Sequence, residues 1–397
     1  MLHGLKVIEL ATYVAAPGAG GILADWGAEV IKIESAEGDP MRMFFASLGA
    51  EEAVNPVFEV DNRGKQSIVI DIGKPEGQQV IERLLAGADV FLTNIRPASL
   101  KRAGLDHERL SALFPRLIYA SVTGYGLTGE DADRPGFDTA AFWARSGLMA
   151  ASTVKGGEPV QPRTAVGDHT CSLATVSAIL AAVIDRQATG QGRLVETSLL
   201  RTGVYVLGSD MAIQLHMGRL ASTRPRSAAV NPMNNYFRTR DGVWFCIIPR
   251  QGSGDWPRLA RAAGIAELIE DERFAGAKAR RVNVAELVEI LDAAFGALDF
   301  SEASQALDRE NLVWAAVQTP ADAARDPQAI AAGCFVDVPL PDGGKVRSVA
   351  SPARFDGVDG VPASASPSPG QHTDALLETL GYGAEQRAAL RAAGAVG

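Results

Sequence analysis

The chain has 397 residues, 47% of them hydrophobic and 21% charged, with a formal net charge of −9. That is the balance of a soluble globular protein with room for two or three domains. The acidic excess argues against a general nucleic-acid or anionic-membrane partner, since both require a basic field.

The opening MLHGLKVIEL lacks the basic segment and long apolar run of a secretory signal. Residues 7–10 read as a first strand. Pro17 fits the first position of a helix that runs to Trp26 and stops at Gly27. The segment from Tyr13 to Gly21 carries Gly18, Gly20 and Gly21 and suits phosphate or carbonyl contacts by backbone amides. It is not GxGxxG, because Leu23 stands where the last glycine belongs, and no GxxxxGK[ST] occurs anywhere. Both facts argue against a nicotinamide dinucleotide or a nucleotide triphosphatase.

Residues 29–33 form the next strand, and a second unit begins with a strand at 67–72. A helix at 75–86 and strands at 89–92 and 117–121 follow. Strands alternating with helices of this length predict βαβ units and a parallel sheet. The expected fold is α/β, a doubly wound, Rossmann-like domain. Ligands bind such sheets at the carboxyl ends of strands, where Arg96, Lys101 and Arg102 offer cations. Solvated surface charge is the alternative for these three, as it is for Arg63 and Lys65.

A loop rich in glycine and charge spans 123–137, and a long apolar helix starts near Thr170. Its most apolar part, 173–184, is too short to cross a bilayer and reads as buried. Connectors are expected at 201–230 and 321–348, flanking a small α+β domain at 231–320. Within that domain a strand at 244–248 precedes helices near 255–263 and 284–308. Residues 349–397 return to the large domain begun by 1–200, through a Pro/Ser/Ala-rich loop at 362–369 and a helix at 374–380.

Cys171, Cys246 and Cys334 are odd in number and scattered, which gives no disulfide framework and no metal spacing. Each reads as a small buried apolar residue in a reducing cytoplasm. The histidines His3, His107, His169, His216 and His372 show no metal pattern, so no metal is expected. No GxSxG nucleophile elbow is present.

Asp168 follows Gly167 at the start of the apolar helix. It can be an N-cap, accepting bonds from the free helix amides. It can also be a nucleophile that those same amides keep ionised, with Gly167 allowing close approach of a substrate. Position alone does not separate the two. His169 reads as pocket lining or surface, because adjacent helical residues point apart.

These motifs, taken together, resemble the class III CoA-transferases (CaiB/BaiF type). The resemblance rests on Gly4 to Leu10, Gly27 to Glu34, Gly38-Asp39-Pro40, Asn62-Arg63-Gly64-Lys65, Ala88-Asp89-Val90, Asn94 with Arg96-Pro97, Ser121 to Gly126, Gly167-Asp168 and Thr189 to Gly192. It covers nearly the whole chain and is strongest over 4–200. The stretch from Pro135 to Arg145 is similar to enzymes acting on arylacrylates, phenyllactate or branched 2-hydroxy acids. The family also holds 2-methylacyl-CoA racemases, which carry a catalytic histidine where this chain has Phe137, next to Asp138. Phenylalanine cannot shuttle a proton, so the transferase reading is favoured over the racemase and over a non-catalytic CoA-binding paralogue.

The resemblance implies Asp168 as a covalent nucleophile, with Asp138 as a nearby supporting acid. Val14 and Ala15, together with the amides after Asp168, are the implied oxyanion donors. It places coenzyme A against Val14, Ala15, Ile70, Asn94, Arg96, Arg102 and Phe137. Ser35 stands where the family often has an arginine, with Arg42 or Arg96 as the compensating cation. Acyl-CoA and a small carboxylic acid are the implied substrates, with no permanently bound cofactor. Two open two-domain protomers would interlock as a homodimer.

Overall fold

Six short strands, each carrying at least two of valine, isoleucine and leucine, lie side by side in one sheet. The computed structural model describes residues 1–49, 54–250, 254–358 and 360–397. The strands are β1 (Lys6–Leu10), β2 (Glu29–Glu34), β3 (Gln66–Val69), β4 (Val90–Thr93), β5 (Ile118–Thr123) and β6 (Leu194–Ser198). Their order is β3-β2-β1-β4-β5-β6, and every pairing is parallel. A parallel sheet is covered on both faces, which is why these strands read as nearly continuous apolar runs.

Alternation within β1 sends Ile8 and Leu10 to one core and Val7 to the other. The first core includes Val80, Ile81, Leu84 and Leu85 of helix α3 (Pro75–Ala86) and Leu376 and Leu377 near the C-terminus. The second packs helices α1 (Ala15–Asp25) and α5 (Val166–Thr189) against the opposite face. Each fully buried branched aliphatic such as Ile8 contributes roughly 1.5–3 kcal/mol. Two further helices, α2 (Pro56–Asn62) and α4 (Pro97–Arg102), follow β2 and β4 in the chain.

The chain forms two compact units. One comprises residues 1–150, 160–220 and 328–397, and the other 151–159 and 221–327. The smaller unit holds an antiparallel sheet of β7 (Asn235–Arg238), β8 (Trp244–Ile247) and β9 (Trp314–Ala316). Its core gathers Phe237, Phe245, Phe295 and Trp256. The large unit also carries a hairpin, β10 (Phe335–Pro339) with β11 (Lys345–Val349).

Several details depart from the sequence reading. α1 begins at Ala15, so Pro17 is its third residue and not its first, and Gly18, Gly20 and Gly21 lie inside the helix. A Cβ at Gly20 would come 1.9 Å from Glu9 Oε2, and one at Gly21 2.8 Å from the Asp61 carbonyl oxygen. The glycines therefore serve close packing. Strand β3 ends at Val69, and Ile70 continues it through its amide bond to the Glu34 carbonyl and a bridge to Val396. The predicted helix at 284–308 is two helices, because Asp299 caps the second of them, Phe300–Arg309, in a capping box with Glu302. Helices Leu199–Val206 and Gly208–Met217 occupy the start of the first predicted connector, and Ala384–Ala392 is a helix the sequence reading lacked.

Helix α5 has 24 residues, long and apolar enough to cross a membrane by length and composition. The reading of that stretch as too short took in only its most apolar part. In this fold Cys171, Val176, Ile179 and Ala182 of α5 are buried against the sheet and α1. Cys334 is exposed and Cys246 half-buried, so only Cys171 matches the buried expectation.

Candidate active site

β1, β4 and β5 end at one rim, and the strand order reverses between β1 and β4. Chain segments leaving such a reversal diverge to opposite faces and open a crevice. A cleft of ≈ 370 Å³ lies there, lined by Val14, Ala15, Asn94, Arg96, Phe137 and Asp168 among others. Six of the expected site residues thus share one cavity. Tyr13 stands edge-on to Phe137, ring centroids 5.4 Å apart, at the same cleft.

Ile70 lies elsewhere. It lines an adjoining cavity of ≈ 420 Å³ with Ser35, and the two cavities share Thr12 and Ile95. Arg102 lines neither; it is exposed at the end of α4 and donates to Ser99 Oγ at 2.9 Å. Arg42 is committed to Glu34 through two bonds of 2.8 and 2.7 Å, so it does not replace the cation missing at Ser35. Asn94 staples the loops after β1 and β4: it accepts from the Thr12 amide at 3.0 Å and donates to the Thr12 carbonyl at 2.7 Å. Its side chain shapes the cleft by holding backbone.

Asp168 is the third residue of α5, so it is not the N-cap. The cap position belongs to Ala165, at φ +67°. Asp138 serves the helix start from outside, at the head of a π-helical segment, Asp138–Ala144. Its Oδ2 accepts from the Gly167 amide at 3.2 Å. A Cβ at Gly167 would sit 2.3 Å from Asp138 Oδ1 and 2.3 Å from the Phe142 ring, so only glycine allows this approach.

The electrostatics follow. Burial, and then the neighbouring Asp138 charge, push Asp168 up to about 7, while His169 opposes the rise. Burial raises Asp138 as well. The expectation that helix amides hold Asp168 ionised is corrected, since Asp138 takes bonds from the first-turn amides. The amides after Asp168 are also occupied: the His169 amide donates to the Ala165 carbonyl at 2.9 Å. The start of α1 at Val14 and Ala15 has no side-chain cap, which leaves its first amides without a side-chain acceptor.

A reaction carried by the Asp168 carboxylate is therefore expected to gain about tenfold per pH unit below 7 and to level off above it. A pH profile of the single-turnover rate checks this. An acidic limb centred near the ordinary aspartate value would contradict it.

Beside the cleft runs a chain of buried charge. Lys32 Nζ meets Glu9 Oε1 at 3.0 Å and Asp39 Oδ2 at 2.9 Å. Lys65 Nζ meets Glu9 Oε2 at 2.7 Å, the Pro17 carbonyl at 2.9 Å and Asn62 Oδ1 at 3.1 Å. Burial lowers Lys65 to about 8 against the pull of Glu9. Arg63 is buried too, paired with Asp25 at 2.7 Å. The surface alternative for Arg63 and Lys65 does not hold. His169 is paired as well, with Nε2 3.1 Å from Asp61 Oδ1. Sequence reasoning missed Asp61, which lies 108 positions away with no local pattern joining the two.

The family model described as CoA-transferase family III matches residues 2–373. The (R)-2-hydroxy-4-methylpentanoate CoA-transferase of Clostridioides difficile is 30% identical, over 97% of each chain. The cinnamoyl-CoA:phenyllactate CoA-transferase of Clostridium sporogenes is 33% identical, over 96% of this chain and 94% of its own. The crystal structure of a CaiB/BaiF family protein from Brucella suis superposes with a TM-score of 0.84 at 34% identity, covering 96% of this chain and 99% of that one.

Proposed function

This chain belongs to CoA-transferase family III, and from that premise we propose that Asp168 moves coenzyme A between an acyl-CoA donor and a small carboxylic acid. The observation that carries the reading is the half-buried Asp168 carboxylate on the wall of the cleft at the strand-order reversal.

The Asp168 carboxylate attacks the donor thioester carbonyl and expels CoA thiolate, forming a mixed anhydride. The thiolate then attacks the aspartyl carbonyl and releases the donor acid, leaving an aspartyl-CoA thioester. The acceptor carboxylate attacks that thioester, giving a second anhydride and free thiolate. Attack of the thiolate on the acceptor carbonyl yields the new acyl-CoA and restores Asp168. Each step exchanges one acyl bond for another, so the thioester energy is conserved. The Val14 and Ala15 amides face the developing oxyanions. Phe137 on the cleft wall offers no second base, which disfavours racemisation.

Acids of the arylacrylate, phenyllactate or branched 2-hydroxy type are the proposed substrates, in keeping with the names of the two relatives. The reading includes a homodimer. Tyr205, Leu215 and Met217 are 83%, 79% and 65% exposed on the helices Leu199–Val206 and Gly208–Met217, an apolar surface that association would cover. It also includes a cytoplasmic setting, in line with three unpaired cysteines.

The test is incubation with a panel of acyl-CoAs, followed by intact-protein mass spectrometry and hydroxylamine trapping. A CoA-sized adduct, or a hydroxamate mapping to Asp168, is expected with at least one donor of the proposed class. CoA binding without adduct or exchange across the panel would refute the reading.

A further inference from the structure

Helix α1 crosses between α2 and α5 at Gly18. A Cβ there would lie 2.6 Å from Ser172 Oγ on α5 and 3.2 Å from Asp61 Oδ1 on α2. The missing side chain lets Asp61 reach past α1 toward the start of α5. Asp61 is 2% exposed at its side chain, and one of its oxygens meets His169 Nε2 at 3.1 Å. Its other oxygen, Oδ2, has no hydrogen-bond partner. A buried carboxylate left half unsatisfied is costly unless a cation balances it. His169 directly follows Asp168 in the chain and has a half-exposed side chain.

We infer that Asp61 and His169 form a positioning pair for the nucleophile: Asp61 anchors the His169 imidazolium beside Asp168, and that cation holds the Asp168 carboxylate ionised for attack. The inference rests on the transferase reading above. The charged groups around the pair are all in view. Asp138 faces Asp168 from the π-helical segment, Asp61 faces it from α2, and Lys65 and Glu9 stand on the far side of Asp61. The hydrogen bond to Asp61 pushes His169 up, which favours the imidazolium, while Lys65 favours the charged form of Asp61. Without the pair, burial and Asp138 act on Asp168 unopposed.

The experiment compares the parent with His169→Gln, Asp61→Asn and His169→Lys, reading single-turnover rate from pH 5.5 to 9. In His169→Gln the acidic limb moves up by about one pH unit, a loss of roughly tenfold at pH 6 that recovers at pH 9. Asp61→Asn moves the limb the same way but by less, because the Asp61 charge that it removes itself raises Asp168. His169→Lys, which carries a permanent cation, keeps the limb close to the parent position. His169 lies at the surface edge of the site, so its variants report even if Asp61→Asn fails to fold. A rate reduced by the same factor at every pH, with the limb unmoved in His169→Gln, overturns the pair while the Asp168 adduct in the parent leaves the transferase reading standing. Absence of that adduct in the parent overturns both.

Discussion

Asp168→Asn is expected to abolish exchange, by roughly 10⁴-fold or more, and at the same time to raise thermal stability by a few degrees at pH 8. The loss follows from chemistry: an amide neither attacks a thioester nor forms the anhydride. The gain in stability follows from linkage. The folded-state pKa of Asp168 is raised to about 7 from 3.8, chiefly by burial and then by Asp138. A raised carboxyl contributes stability that is fully present below the unfolded value and lost as pH rises through the folded one. At pH 8 the parent therefore holds an unwelcome charge that asparagine lacks, and the difference closes on acidification to about pH 4. Thermal melts of both proteins at pH 8 and pH 4, beside the exchange assay, check the two halves. An asparagine protein verified against deamidation that still turns over removes Asp168 from the chemistry. A variant less stable than the parent at pH 8 removes the electrostatic account.

Glu9→Ala is expected to cost roughly 3–5 kcal/mol of folding free energy. Glu9 is fully buried on β1, and its two oxygens are shared between Lys32 and Lys65, both also without solvent contact. Its removal strands two ammonium groups in the interior, with Asp39 left as the acid paired to Lys32. A domain of ordinary stability, about 5–15 kcal/mol, is left marginal. Replacing Glu9, Lys32, Lys65 and Asp39 together with Leu, Met, Met and Asn is expected to cost far less, because no charge of the cluster is then left unpaired. Urea unfolding of both variants measures the contrast. A Glu9→Ala protein within about 1 kcal/mol of the parent would show that water reaches the cluster.

That cluster also marks where the sequence was legible and where it was not. β2 and β4 were readable because valine and isoleucine dominate strands covered on both faces. The helix Pro75–Ala86 was read to the residue, since proline sets its first position and Gly87 follows its end. Glu9 and Lys32 break the apolar runs, and no local pattern says that they meet each other and Lys65 across the sheet. Gly18, Gly20 and Gly21 carry low helix propensity. Tertiary packing overrides that preference, because α2 and Glu9 occupy the space a side chain would need. Asp168 offered both a cap and a nucleophile, because Gly167-Asp168 looks like a helix entrance. The helix begins two residues earlier, with Asp138 capping it from a distant segment. The cleft residues came together because the loops after β1 and β4 flank the crevice where the strand order reverses. Asp61 stayed hidden because its partner lies on another helix.

The edge strand β3 carries a kinetic consequence. The Ser67 amide donates to His372 Nδ1 at 3.1 Å across 305 positions, the Gly64 amide bonds the Ser364 carbonyl, and Ile70 bridges to Val396. Contacts of such separation are entropically the slowest to close. The smaller unit's residues 221–327 lie inside that span, and their early collapse shortens the effective loop. Closure of these C-terminal contacts onto β3 is thus expected to come late in refolding, after condensation of a segment to which β3 is not bonded.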